Sequence, residues 1–126
     1  MTLKEFLSLA HPRDKEVAST ELSITMQPGM ISFGGHFSLT DRTEIPIDIR
    51  KIGKSKCEQL SADIESMHRS TANSGQNKWN KATFNIDSQG QVRQQFVWDA
   101  QFETDNVNVY QVDGEITRRK WYWEEK

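Results

Sequence analysis

The chain is poor in several things, and each scarcity excludes something. It holds one cysteine, Cys57, so no internal disulfide can staple it and a reducing compartment is permitted. No apolar run approaches the ~20 residues that a membrane-spanning helix needs. The opening residues, MTLKEFLSLAHPRDKE, carry too much charge around too short an apolar stretch for a secretory signal, so cytoplasmic residence is the expectation. His11, His36 and His68 are scattered, and no two of them share a local helix or strand face; a metal site is therefore not expected, and each reads as a surface or packing residue. Gly34-Gly35 lacks the following lysine or helix start of a phosphate-binding loop. Hydrophobic residues make up only 35% of 126 residues and mean hydropathy is −0.75, which allows one domain with a modest core. A sheet with one wet face, or a surface built for a partner, would account for so polar a composition.

Aromatic residues are present in number: four Trp, six Phe and two Tyr, many in alternating contexts, which argues against a disordered chain. The clearest pattern is Trp79 to Asp99. Trp79, Lys81, Thr83 and Asn85 alternate with Asn80, Ala82, Phe84 and Ile86. After the turn Asp87-Ser88-Gln89-Gly90, Val92, Gln94, Phe96 and Trp98 alternate with Arg93, Gln95, Val97 and Asp99. A period of two is what a half-buried antiparallel strand requires, and Gly90 suits the positive-φ end of a longer hairpin loop.

Elsewhere the signals are mixed. Residues 2 to 9 read as a short helix, with Thr2 and Glu5 at capping-box spacing and Pro12 ending it. Residues 13 to 20 are charged and ambiguous. Leu22–Met26 and Met30–Leu39 alternate as strands around the turn Pro28-Gly29, and Gly34-Gly35 suggests a bulge or bend in the second. Ile45, Ile47 and Ile49 share a face, but Pro46 confines that run to an edge or irregular strand. Residues 56 to 72 form the strongest helix, with Ser55 and Glu58 at capping-box spacing and an apolar stripe of Cys57, Leu60, Ile64 and Met67. Asn73-Ser74-Gly75 closes it. Val107, Val109 and Gln111 alternate before Asp113-Gly114, a strong hairpin turn. Ile116 to Trp123 fits its return strand; a terminal helix is the alternative. The expected class is α+β: a mostly antiparallel sheet, the 56–72 helix on one face, a short N-terminal helix, and one domain over 1–126.

Charge is uneven. Residues 1–83 carry 11 Lys or Arg and 10 Asp or Glu, whereas residues 84–117 carry Asp87, Asp99, Glu103, Asp105, Asp113 and Glu115 against Arg93 alone. Such a block repels phosphate backbones and attracts basic proteins; the plainer reading is a solvated sheet face. Candidates for chemistry are weak. Cys57 lies on an apolar stripe, as a structural thiol would, whereas a reactive one needs exposure and an electropositive setting. Asp87 and Asp99 sit at the two ends of one hairpin, where turn and strand-end acids are commoner than catalytic ones. No catalytic residue and no cofactor is assigned. The tail Arg118-Arg119-Lys120-Trp121-Tyr122-Trp123 interleaves cations with aromatics, a signature of single-stranded nucleic acid binding. The competing reading has Trp121 and Trp123 turned inward from a strand while Lys120 and Tyr122 face out.

The order of these features resembles the YezG-like family of bacterial immunity proteins, which neutralise toxin domains of polymorphic and contact-dependent toxin systems. The residues carrying the resemblance are Trp79, Phe84, Ile86, Asp87, Gly90, Phe96, Asp99, Arg118 or Arg119, and Trp121, within about residues 30–123. Residues 1–20 depart from it: the family has a longer N-terminal helix and an aromatic before the first strand. The resemblance implies a small, non-enzymatic, cytoplasmic immunity protein whose partner is a cognate toxin domain, in many cases a nuclease with a basic groove. The family residues would then be scaffold. The partner-binding candidates are the acids Asp87, Asp99, Glu103, Asp105, Asp113 and Glu115, with Tyr110 as an aromatic anchor. Neither nucleic acid nor membrane is an expected partner. The rival is a nucleic-acid-binding module built on the basic-aromatic tail.

Overall fold

The computed structural model describes residues 3–72, 77–106 and 109–124, with Tyr110 placed by its backbone alone. The elements in order are α1 (Leu3–Ser8), β1 (Val17–Gln27), β2 (Met30–Leu39), β3 (Glu44–Pro46), α2 (Ile49–Ile52), α3 (Lys54–Ala72), β4 (Lys81–Asp87), β5 (Val92–Val97), α4 (Ala100–Asp105), β6 (Val109–Val112) and β7 (Glu115–Arg118). The fold is α+β. Five antiparallel strands form one sheet in the order β3-β2-β1-β4-β5, and β6 pairs with β7 in a separate two-stranded ribbon.

Alternation decides which face of the sheet is dry. Thr20, Leu22, Ile24 and Met26 of β1 are buried, and Ala82 and Phe84 of β4 lie beside them in register, Ile24 opposite Ala82 and Leu22 opposite Phe84. α1 and α3 close this face: Phe6 and Leu7 from the first, Leu60 and Ile64 from the second join the same core. The other face carries Glu21, Ser23, Thr25, Ser32, His36, Thr83 and Gln95, all exposed or half-exposed, which is the wet side that the polar composition anticipates. There His36 sits between Glu21 and Glu44, 3.6 Å from each.

Several local expectations need correction. Gly34-Gly35 produces no bulge; the β1–β2 register runs unbroken across it, and the irregularity lies between Val17 and Ser19. Gly35 serves close approach instead, because a Cβ there would lie 2.0 Å from the Glu21 carbonyl oxygen. α3 begins at Lys54, with the Cys57 N–H donating to the Gly53 carbonyl at 3.2 Å, so Ser55 lies inside the first turn and caps nothing. The cap is one element earlier, where the Asp48 carboxylate accepts from the Arg50 N–H at 3.0 Å to start α2. The isoleucine run is an edge strand only over Glu44–Pro46; Ile47 is buried and Ile49 opens α2. Asn73, Ser74 and Gly75, read as the closing turn of the helix, lie outside the described residues, as does Val107.

The two hairpins follow their turn chemistry. Gly90, at φ 81°, donates its N–H to the Asp87 carbonyl, and the Asp87 N–H donates to the Gln91 carbonyl, both at 3.0 Å. Asp113 and Gly114 both take positive φ, 51° and 83°, the two-residue turn that matches strand twist. The return strand β7 stops at Arg118, however. Trp121 to Glu124 form a turn closed by the Glu124 N–H on the Trp121 carbonyl at 2.9 Å, so the tail neither alternates across a sheet nor forms a helix. α4 has no counterpart in the expected elements. Among the described residues no helix is long and apolar enough to cross a membrane.

Candidate functional site

The acidic segment does not gather at one place. Asp87 lies in the β4–β5 turn, and its carboxylate accepts from the Gln89 and Gln91 N–H groups, both at 2.9 Å. Asp99 is at the opposite end of the same hairpin. Its N–H donates to Asn80 Oδ1 at 2.7 Å, and Asn80 Nδ2 donates back to the Asp99 carbonyl at 2.8 Å. The Asp99 carboxylate accepts from Lys81 Nζ at 2.8 Å and from the Phe102 N–H at 2.9 Å, capping α4. These donors, Lys81 first, hold its carboxyl below the ordinary aspartate range. Glu103, one turn on, accepts from the Trp121 indole Nε1–H at 2.7 Å and ties α4 to the C-terminal turn.

The other candidates are more open. Asp105 is exposed and accepts from Gln101 Nε2 at 2.9 Å. Asp113 and Glu115 are exposed at the tip of the β6–β7 ribbon. The Tyr110 side chain lies outside the described residues; its backbone pairs with Thr117. The structure therefore divides the six acids by what they hold. Asp87, Asp99 and Glu103 are committed to turns, caps and inter-element bonds, though Asp87 is also exposed. Asp105, Asp113 and Glu115 stand on the surface outside those bonds. The ribbon also presents apolar side chains to solvent, with Val109 50%, Val112 49% and Ile116 76% exposed.

The C-terminal aromatics form a cluster around His68, a residue that carries no signal of its own in the sequence. His68 is fully buried, and Trp79, Trp121, Tyr122 and Trp123 all place their rings within 6 Å of its own. Trp121 and Trp123 stack on each other at 4.7 Å with planes 9° apart. Tyr122 was expected to face out; instead it is half-buried, its hydroxyl bonded to His68 Nδ1 and its ring under the Arg69 guanidinium at 4.7 Å. Burial pushes the Tyr122 hydroxyl far above its ordinary range and the His68 imidazole below its own. Trp98 is half-buried beneath Lys78 Nζ, 4.4 Å from its ring centre.

Beside this cluster lies a cavity of about 490 Å³, between the β1–β2 turn, α3 and the C-terminal turn. Arg69, Arg118, Arg119 and Lys120 line it with Tyr122. Much of that charge is already answered. Arg69 reaches Glu65 at 3.2 Å, and Arg118 grips Glu124 through two nitrogens at 3.2 and 2.5 Å. Cys57 is half-buried, and burial raises its thiol above the ordinary value, which disfavours the nucleophilic thiolate. No group of three or more His, Cys, Asp or Glu among the described residues could hold a metal ion. No protein-family model matches this chain, and no curated protein matches it.

Proposed function

We propose that this chain acts by binding alone: an immunity protein that holds and neutralises a cognate toxin domain with a basic, nuclease-type surface. The observation that carries the reading is the β6–β7 ribbon. It forms a sheet of its own, exposes Val109 and Ile116 on one face and Val112 on the other, and bears Asp113 and Glu115 at its tip, with Asp105 on α4. Apolar anchors flanked by solvated charge are the anatomy of a protein interface, in which the anchors carry affinity and the rim steers association. A two-stranded ribbon is marginal by itself, so a partner's surface would also stabilise it. The resemblance described above points the same way.

The test is co-expression with the C-terminal domain encoded by the neighbouring upstream reading frame, followed by affinity capture through that domain. The reading expects a stoichiometric complex and loss of capture for Ile116→Asp. Absence of any complex with a neighbour-encoded domain would count decisively against it.

One observation favours the nucleic-acid reading: four basic side chains and Tyr122 share a single cleft. It ranks second because Trp121 is buried against Trp123, which removes one stacking platform, and because Glu65 and Glu124 already occupy two of the four cations.

A further inference from the structure

The two edges of the main sheet are finished differently. β3 closes one edge with three residues, including Pro46 and the charged Glu44. Short length, proline and charge are the devices by which an edge strand avoids pairing with another chain. β5 closes the other edge with six residues, VRQQFV, and has no proline and one charge, on Arg93. All six residues are exposed, including Val92 and Phe96, whose side chains lie on the dry face. The helical layer stops short of this strand. Phe96 touches Trp79 and Phe84 yet remains 39% exposed, and Val92 remains 43% exposed.

The hydrogen-bond pattern says which backbone groups are on offer. At the two ends of β5, the Gln91 and Val97 carbonyls accept from Asp87 and Asn80 on the β4 side, each at 3.0 Å. In an antiparallel ladder the inward and outward residues alternate, so odd-numbered residues turn their backbone groups toward β4. The N–H and C=O groups of Val92, Gln94 and Phe96 therefore point away from the sheet. Among the described residues, nothing is hydrogen-bonded to them from that side.

We propose that β5 pairs antiparallel with β5 of a second copy of this chain, about a two-fold axis at Gln94, to make a continuous ten-stranded sheet. The register follows from the sequence of the strand. Residues opposite one another must lie on the same face, so the axis passes through a residue, not between two. Centred on Gln94, each outward-pointing residue exchanges two backbone bonds with its opposite number. Val92 then lies against the partner's Phe96, Gln94 meets the partner's Gln94, and Arg93 meets the partner's Gln95. Both apolar side chains of the dry face, Val92 and Phe96, gain apolar partners, the exposed Val97 of the other face lies opposite the partner's Gln91, and the two Arg93 side chains are kept apart. Centred on Gln95, by contrast, Phe96 would face Gln94 and Arg93 would face Val97. The strand is self-complementary in one register, as an isologous interface requires. A six-residue edge is smaller than the ~800 Å² per partner of a standard interface, so the dimer dissociates on dilution.

Sedimentation equilibrium of the full chain from micromolar to millimolar concentration tests this. The expected mass rises from the 14.6 kDa monomer toward twice that value, with amide-exchange protection at Val92, Gln94 and Phe96 rising in parallel. Gln94→Pro removes an outward N–H without touching the β4 ladder, and Gln94→Lys puts two like charges at the axis. Both variants should stay monomeric while keeping the wild-type circular dichroism spectrum. In a Cys57→Ala background, Gln94→Cys should cross-link to itself under mild oxidant, since paired Cα atoms there lie ~5.5 Å apart, within disulfide reach, whereas Gln95→Cys should not. A monomer at millimolar concentration overturns the proposal, including one that pairs β5 only with a different protein. So does a dimer that survives both folded Gln94 variants, or one that cross-links through Gln95→Cys in preference. The proposal rests on the sheet edge alone and stands or falls separately from toxin binding.

Discussion

His68 Nε2 donates its proton to the carbonyl of Trp79 at 2.7 Å. That bond fixes the tautomer: a carbonyl can only accept, so Nδ1 carries the lone pair and the Tyr122 hydroxyl donates to it. Both rings are held neutral in a buried site, and the pair joins α3, the entry to β4 and the C-terminal turn.

Stability should therefore depend on His68 between neutral and mildly acidic pH. Burial lowers its folded pKa from 6.5, so below that value the unfolded chain binds a proton that the folded chain refuses. The His68 contribution is complete above pH 6.5 and fades as pH falls toward the depressed folded value. Tyr122 acts at the other end: its folded pKa lies above the ordinary 10.0, so the folded state loses ground as pH rises past that value. Thermal melts across pH 5 to 8 should show a falling melting temperature on the acid side, and His68→Gln should flatten that slope. An unchanged slope in the variant would assign the acid sensitivity to another group.

Asp99 is tied into the scaffold. It caps α4, pairs with Lys81 and completes the reciprocal bonds with Asn80. Asp99→Ala should lower the melting temperature; Asp99→Asn, which can still cap, should lower it less. The depressed carboxyl contributes stability above the ordinary aspartate pKa of 3.8, and that contribution is lost as pH falls through the folded value. Melts at pH 7 and pH 3 check both statements. If Asp99→Ala melts like the wild type but fails to bind a partner, Asp99 is a contact residue after all.

Electrostatic steering is tested at three exposed acids, Asp105, Asp113 and Glu115. Neutralising them with Asp105→Asn, Asp113→Asn and Glu115→Gln should slow association with a basic toxin domain and weaken its salt dependence, with little change in dissociation. Asn is chosen at 113 because it tolerates the positive φ there. Stopped-flow association across a salt series is the measurement. Equal on-rates for the triple variant and the wild type would show that the acids do not steer.

The parts of the fold that were legible are those specified by neighbours in sequence. The β4–β5 hairpin is written in its alternation and Gly90, the β6–β7 ribbon in Asp113-Gly114, and α3 in the spacing of Leu60 and Ile64. α4 was missed although Asp99 is a good N-cap residue, because a six-residue helix leaves too short a periodic stretch to register. The C-terminal turn was misread because Trp121 and Trp123 alternate as strand residues do, while their actual pairing is a stack on each other. The His68–Tyr122 bond spans 54 positions, and no local pattern announces it. The acids are visible as composition, but only the fold shows that Asp87, Asp99 and Glu103 are tied to backbone or side-chain donors in turns, a cap and an inter-element bond.

Phe84 tests the core assignment. It is buried in β4 between Leu22 of β1 and Gln94 of β5, with the Phe96 ring edge-on at 5.9 Å. Truncation leaves a cavity the rigid sheet cannot close, so Phe84→Ala should cost about 3–5 kcal/mol in denaturant titrations. A variant that unfolds at the wild-type denaturant midpoint yet no longer binds would move Phe84 from core to interface.

The basic-aromatic tail can be judged by its own fluorescence. Trp79 and Trp121 are each 3% exposed, and Trp123 is stacked on Trp121, so emission should be blue-shifted and only weakly quenched by acrylamide. Single-stranded binding by base stacking needs an open aromatic face, and prying Trp121 from Trp123 would also break the indole bond to Glu103. Of the cations around Tyr122, Arg69 and Arg118 are engaged with Glu65 and Glu124, which lowers the phosphate attraction the cleft can supply. Titrating single-stranded DNA and RNA while following Trp emission should therefore give no saturable change at physiological salt. Saturable quenching at micromolar nucleic acid, weakened by added salt and abolished by Arg119→Glu with Lys120→Glu, would show that the cleft opens for a phosphate chain and would displace the immunity reading.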